Sequence, residues 1–153
     1  EKWAARTYDI SEFLIHKVPY KKEGLGPVNR KITYHDPCHL NRGQGVNAEP
    51  REILNSIPGL EFVEMKKPDR CCGMAGSFCL VHPDLSDKIS DHKIRDIFQT
   101  NTNGVVTGCP ACRLQLASGV ENAGLKHDVL HTVQILAESY QAGKKASSKG
   151  AAS

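Results

Sequence analysis

The sequence has no apolar run approaching the roughly 20 residues of a membrane-spanning helix. It has little surplus charge, a formal +3 over 153 residues with Lys, Arg, Asp and Glu interspersed. Neither nucleic acid nor an anionic membrane therefore has an electrostatic claim on it. The opening run Glu1-Lys2-Trp3-Ala4-Ala5-Arg6 lacks the pattern of a signal peptide. An initiator methionine is also missing, so the chain is expected to be a fragment of something longer. The expected location is the cytoplasm, at most peripheral at the inner face of the membrane. Cysteine, by contrast, is plentiful. The chain has six, although a domain of this length buries about two thirds of its unfolded surface and folds without disulfides. In a cytosolic chain such cysteines favour metal or redox chemistry over a disulfide framework.

Along the chain, residues 1–30 read as a lead-in arm and linker. Ser11 is placed to cap a short helix over Glu12–Ile15, with Ile10 and Ile15 as a hydrophobic staple. Pro19, Gly24, Gly26 and Pro27 then break the pattern. Lys31–Tyr34 reads as a strand running into His35-Asp36-Pro37-Cys38-His39-Leu40. Asn47 opens a helix with Pro50 in its first turn, and Pro58-Gly59 ends it. Leu60–Met65 is a second strand leading to Cys71-Cys72, and Pro83-Asp84 starts a long helix through Leu85, Ile89, Ile94, Ile97 and Phe98. Gly104–Gly108 forms a third strand that delivers Cys109-Pro110-Ala111-Cys112 to a helix start; that helix carries Leu116 and Val120 on one face. Asp128–Leu130 is the fourth strand, after which His131-Thr132 opens a last helix with Val133, Leu136 and Tyr140 at helical spacing. The domain proper is residues 31–140. From Gln141 the composition turns to Gly, Lys, Ala and Ser and reads as a disordered tail, residues 141–153.

This alternation specifies an α/β fold with a mainly parallel four-stranded sheet and flanking helices. Loops beyond the strand C-termini of such a sheet share one edge, where ligands bind. Cys38, Cys71, Cys72, Cys109, Cys112 and His131 each follow a predicted strand, so the cysteine loops are expected to meet at that edge.

Adjacent cysteines have little use in packing. Two thiolates at one point, followed by small residues, suit a soft metal or a cluster. Cys109 and Cys112 stand at a helix N-terminus, where the dipole and free N–H groups favour thiolates. A C-x-x-C pair also serves thioredoxin-like disulfide exchange, but that fold wants a cis-proline before a later strand and no proline follows Pro110. A structural zinc is the second alternative, although five thiolates exceed what one zinc takes. A polynuclear iron–sulfur cluster can use all five, because several irons each need ligands. Gly73, Ala75 and Gly76 let backbone N–H groups approach a thiolate or sulfide. His35, His39 and His131 are each readable as hydrogen-bond donors to a cluster or substrate, or as ordinary structural histidines. Cys79 reads as a small buried thiol, and His16, His82, His92 and His127 as surface or loop residues.

The order Cys38, 32 residues, Cys71-Cys72-Gly73, 35 residues, Cys109-x-x-Cys112 resembles the cysteine-rich CCG domain. That family includes the cysteine-rich subunit of heterodisulfide reductase and the iron–sulfur subunits of glycolate oxidase, lactate-utilisation and anaerobic glycerol-3-phosphate dehydrogenase complexes. The runs Tyr34–Leu40, Cys72–Phe78, Thr107–Pro110 and Asp9–Leu14 are similar to the glycolate and lactate branch, in its C-terminal module. The resemblance implies that Cys38, Cys71, Cys72, Cys109 and Cys112 hold a [4Fe–4S] cluster, cubane or noncubane, with zinc as the alternative. From their own places in the sequence His35, His39, Gly73 and His131 would surround it; Cys79 departs from the usual small residue there and would not be a ligand. It also implies a second CCG domain and a ferredoxin-like region in the same subunit, a flavoprotein partner carrying FAD, and a quinone or other electron carrier. The implied activity is electron transfer for a flavin-dependent 2-hydroxy-acid oxidoreductase. Heterodisulfide or thiol reduction, or a zinc-stabilised assembly role, are the alternatives.

Overall fold

The computed structural model describes residues 2–150. Four strands form one all-parallel sheet: β1 (Arg30–His35), β2 (Leu60–Phe62), β3 (Gly104–Thr107) and β4 (Asp128–His131), in the spatial order β2-β1-β3-β4. The central strands bury every residue from Ile32 to His35 and from Gly104 to Thr107, as a parallel sheet covered on both faces requires. Side-chain alternation splits the core in two. Val105 joins Met65, Ile94, Ile97, Leu116 and Val120 on one face; Val106 joins Val28, Ile32, Tyr34, Leu54, Ile57 and Ile135 on the other.

The helices are α1 (Ile10–His16), α2 (Ala48–Asn55), α3 (Phe78–Val81), α4 (Pro83–Phe98), α5 (Pro110–Asn122) and α6 (Thr132–Gly150). A π-helical turn, His39–Gln44, follows β1. The chain leaves β1 for β2 on one side and returns to β3 on the other, so the strand order reverses between β1 and β3. Their C-terminal ends, paired at His35↔Thr107, flank the crevice where open α/β sheets bind ligands.

Several expectations change in detail. α1 is capped by Asp9, not Ser11: the Asp9 carboxylate accepts from the Ser11 amide at 2.8 Å and the Glu12 side chain returns to the Asp9 amide at 3.3 Å. Ser11 instead falls inside the helix and is buried. β2 stops at Phe62 instead of Met65. There Val63 still donates to the Ile32 carbonyl at 2.9 Å, but Met65 turns into the core beneath the cysteine loop. His131 closes β4 and, as expected, leads directly into the last helix, which starts at Thr132. α6 does not fray at Gln141: it continues to Gly150. Glycine contacts seat the helix just beyond Gln141. A Cβ on Gly143 would stand 2.2 Å from the Gly24 carbonyl oxygen, and one on Gly26 2.2 Å from the Gly143 amide nitrogen. Helix and lead-in arm thus meet backbone to backbone. Ser139 reinforces the junction by donating to the Gly26 carbonyl at 2.7 Å. Residues 151–153 of the expected tail lie outside the described ones.

Candidate metal centre

Three loops at the sheet's C-terminal edge close round a cavity of about 250 Å3, lined by His35, Cys38, His39, Cys71, Cys72, Met74, Ala75, Gly76, Cys109, Ala111 and Cys112. All five cysteines of the spaced pattern line it. They are layered: Cys72, Cys109 and Cys112 are buried, Cys71 is half-buried and Cys38 is exposed. The Sγ atoms of Cys72 and Cys112 and a ring nitrogen of His35 lie within 4.8 Å of one another.

Each loop is held by its own physics. The β1 loop begins with Asp36, whose carboxylate is gripped by both terminal nitrogens of Arg51 at 2.8 and 3.0 Å. Arg51 also takes Glu64 at 2.6 and 2.9 Å and stacks over Tyr34 at 5.3 Å from the ring centre. The middle loop needs Gly73. Its φ is +100°, and a Cβ there would meet the Ser86 carbonyl oxygen at 2.5 Å. Ser86 on α4 donates to the Gly73 carbonyl at 3.0 Å, and the Gly73 amide donates to the Cys71 sulfur at 3.3 Å. Ala75, at φ +40°, and Gly76, at φ +62°, carry the chain over the mouth. In the third loop Pro110 opens α5 without wasting a donor, and the Cys112 amide turns to the Cys109 sulfur at 3.5 Å.

The electrostatics follow from three buried thiols side by side. Hydrogen bonding from Cys112 holds the Cys72 pKa well below the usual thiol range, against the opposing effect of burial, with further help from His35 and the Met74 amide. The same Cys112 thiol, assisted by the amides of Cys112 and Ala111, likewise lowers the Cys109 pKa against the effect of burial. Cys112 itself is pushed up because it shares its proton with Cys109 and Cys72. Burial lowers the His35 pKa, so the ring is neutral. It is 1% exposed, and neither ring nitrogen has a nitrogen or oxygen hydrogen-bond partner. Two thiolates and the Cys112 thiol they share, with such an imidazole beside them, form the donor set of a thiophilic metal once that proton is lost.

Not every expected residue reaches the cavity. His35 and His39 do; His131 does not line it and instead accepts the Val133 amide at 3.3 Å, starting α6. Cys79 is half-buried and touches Met74 Sδ at 3.5 Å and the Gly76 carbonyl at 3.4 Å, outside the lining. His127 is a loop residue, as expected, with its Nε2 buried and its ring tilted against Phe98 at 5.3 Å between centres. Met74 and Ala111, which sequence reasoning passed over, line the cavity because they sit inside the cysteine motifs.

A family model described as a cysteine-rich domain, CCG, matches residues 32–117, more than half of the chain. The chain belongs to the cysteine-rich CCG domain family. Those residues run from β1 into α5 and include all five cavity cysteines. Among curated relatives of this CCG domain is a subunit of the fumarate reductase (CoM/CoB) of Methanothermobacter marburgensis, 45% identical over 133 residues, covering 86% of this chain and 27% of that protein. A subunit of the dihydromethanophenazine:CoB--CoM heterodisulfide reductase of Methanosarcina barkeri is 39% identical over 84% of the chain and 32% of its own length. The probable glycolate oxidase iron-sulfur subunit of Bacillus subtilis is 42% identical over 76% of the chain and 26% of its own length. The chain thus spans about a quarter to a third of these three proteins. No helix among the described residues is long and apolar enough to cross a membrane.

Proposed function

We propose that this CCG domain is an iron–sulfur electron-transfer module of a flavin-dependent 2-hydroxy-acid oxidoreductase of glycolate or lactate type. The observation that carries the reading is the meeting of five thiols, from three separate loops, at one cavity. Five sulfur donors outnumber the positions of a single tetrahedral ion and suit a polynuclear cluster. Cys38, Cys71, Cys72, Cys109 and Cys112 would hold a [4Fe–4S] cluster, cubane or noncubane, which when bound accepts and releases single electrons. The protein's own part is to bury three cysteine sulfurs, aim the Gly73 and Cys112 amides at sulfur, and set His35 against the floor. Such hydrogen bonds and burial tune a cluster's potential. The named relatives support the setting, since one is an iron–sulfur subunit of glycolate oxidase and others are subunits of reductases. The electrons would come from a flavoprotein partner carrying FAD and leave for a quinone or soluble carrier. A second CCG domain and a ferredoxin-like region would complete the subunit.

The test is iron and acid-labile sulfide content of the chain purified without oxygen, with its visible and spin-resonance spectra. A brown sample bleached by dithionite is expected. A colourless anaerobic preparation holding one zinc per chain would overturn the cluster. One observation does favour zinc as a second reading: Cys72, Cys112 and His35 converge as closely as three ligands of one ion do.

A further inference from the structure

Among the described residues, Lys93 is a buried lysine that takes no part in the cavity lining. It lies on α4 and is 0% exposed, an unusual burial for an ammonium. Its Nζ donates to the Lys67 carbonyl at 2.8 Å and the Pro68 carbonyl at 2.9 Å, and touches Met65 Sδ at 3.3 Å. None of these partners carries a charge. The acids whose fields reach it are Asp96, Asp36 and Asp69, and each is already matched to an arginine. Asp96 pairs with Arg70 at 2.9 Å, Asp36 with Arg51 at 2.8 Å and Asp69 with Arg42 at 3.0 Å. A cation has therefore been placed in the interior without a carboxylate in contact, an arrangement that is expensive unless something else nearby is negative.

The two carbonyls it holds are well chosen. The Lys67 carbonyl also accepts the Arg70 amide at 3.3 Å, the turn that presents Cys71-Cys72, and the Pro68 carbonyl also accepts the Asp36 amide at 3.0 Å, at the root of the Cys38 loop. Lys93 thus sits where two of the three cysteine loops are tied together, on the protein side of the cavity. Its field reaches His35 on the cavity wall.

We propose that Lys93 is a positioning residue and the built-in counter-charge of the metal centre. It fixes the 65–70 segment beneath the Cys71-Cys72 pair, and its ammonium offsets the negative charge of the thiolate-ligated group, favouring the reduced state. The proposal rests on the cluster reading above. Five thiolates outweigh the positive charge of an iron–sulfur core, and each added electron makes the site more negative, so a fixed internal cation stabilises the reduced form more than the oxidised.

The test uses Lys93→Met, Lys93→Gln and Lys93→Arg in the 153-residue chain, beginning with iron and sulfide analysis of the unsubstituted protein. In cluster-loaded protein, Lys93→Met and Lys93→Gln should each shift the one-electron reduction equilibrium about tenfold toward the oxidised form, about 59 mV. Lys93→Arg, which keeps the charge, should restore most of it. Spin-resonance-monitored redox titration reads this, and a merely structural role would not separate Arg from Gln. Equal potentials in Lys93→Gln and the unsubstituted protein would overturn the counter-charge, as would Lys93→Arg falling as far as Lys93→Gln. Should Lys93→Met not fold, Lys93→Gln carries the comparison. In metal-free protein, Lys93→Met or Lys93→Gln should speed hydrogen exchange at the Arg70 and Asp36 amides by at least about tenfold; unchanged rates would overturn the positioning role. An unsubstituted chain that takes up no iron and sulfide refutes the cluster and with it the counter-charge, while the exchange measurement still decides the positioning role.

Discussion

Replacing Arg51 with Met gives the sharpest test of how the first cysteine loop is held. The Asp36 side chain is 4% exposed and Arg51 20%, and the contact is a two-pronged fork at 2.8 and 3.0 Å. Removing one partner of a buried pair costs about 3–5 kcal/mol, because the other charge is left in the interior. Water already reaches the arginine end, and the Glu64 carboxylate it releases is 44% exposed, so that half of the loss is screened. The expected destabilisation is about 2–4 kcal/mol, a fall of roughly 5–15 °C in the midpoint for a chain of this size. Arg51→Lys keeps the charge but not the fork and should lose roughly half as much. Urea unfolding followed by far-ultraviolet circular dichroism measures all three proteins. The decisive comparison adds Asp36→Asn to Arg51→Met: a neutral amide at position 36 needs no cation, so the double variant should recover at least about 1 kcal/mol relative to simple addition. Additive losses, or an Arg51→Met stability within about 0.5 kcal/mol of the unsubstituted chain, would refute the reasoning.

Gly73→Ala should destabilise the chain by at least about 2 kcal/mol through left-handed strain and the Ser86 contact, and reduce metal bound per chain, read by calorimetry and elemental analysis. Cys79→Ser should leave metal content unchanged and stability within about 1 kcal/mol, because Cys79 lies outside the lining; a loss of metal would restore it as a ligand. The metal-free chain should gain stability as pH rises from about 8 toward about 10.4. Burial, opposed by the fields of Asp96, Asp36 and Asp69 and aided by that of Arg70, lowers the folded Lys93 pKa to about 8, against about 10.4 unfolded. In that window the unfolded chain holds the proton and the folded chain has shed it, so the slope is positive and amounts to about 3 kcal/mol in all. Subtracting the Lys93→Met profile isolates it from the thiols and the neighbouring His35, and a difference profile flat with pH would contradict the burial.

The strands and cysteine loops were legible because they depend on local signals. Strand–helix alternation dictates the parallel sheet, and a parallel sheet dictates a shared loop edge, so convergence of the five thiols needed only their place after each strand. What stayed hidden depends on partners distant in sequence. α4 buries Ser86, Ser90, Lys93 and Asp96 beside Ile94 and Ile97, while Leu85 and Phe98, which look like core residues, are exposed. The helix meets the polar backbone of the 67–73 segment through Ser86 and Lys93, which asks for a short hydroxyl and a long donor instead of an apolar stripe. Likewise nothing local to Gly143 announces that Gly24 and Gly26 lie against it. Asp9 was a readable cap with Glu12 three positions on, and the neighbouring Ser11 distracted from it. His131 shows the limit of placement by edge alone: β4 is the outermost strand on its side, one strand removed from the crevice.

The layering of the thiols has a consequence for lifetime. Cys38 and His39 face solvent while Cys72, Cys109 and Cys112 form the floor. Oxidants arriving from water meet the rim before the floor, so damage has a direction. Were the five cysteines to hold a cluster, oxidation of the Cys38 thiol would uncover one side of it while the buried Cys72, Cys109 and Cys112 stayed shielded, leaving a partly opened centre and not an emptied one.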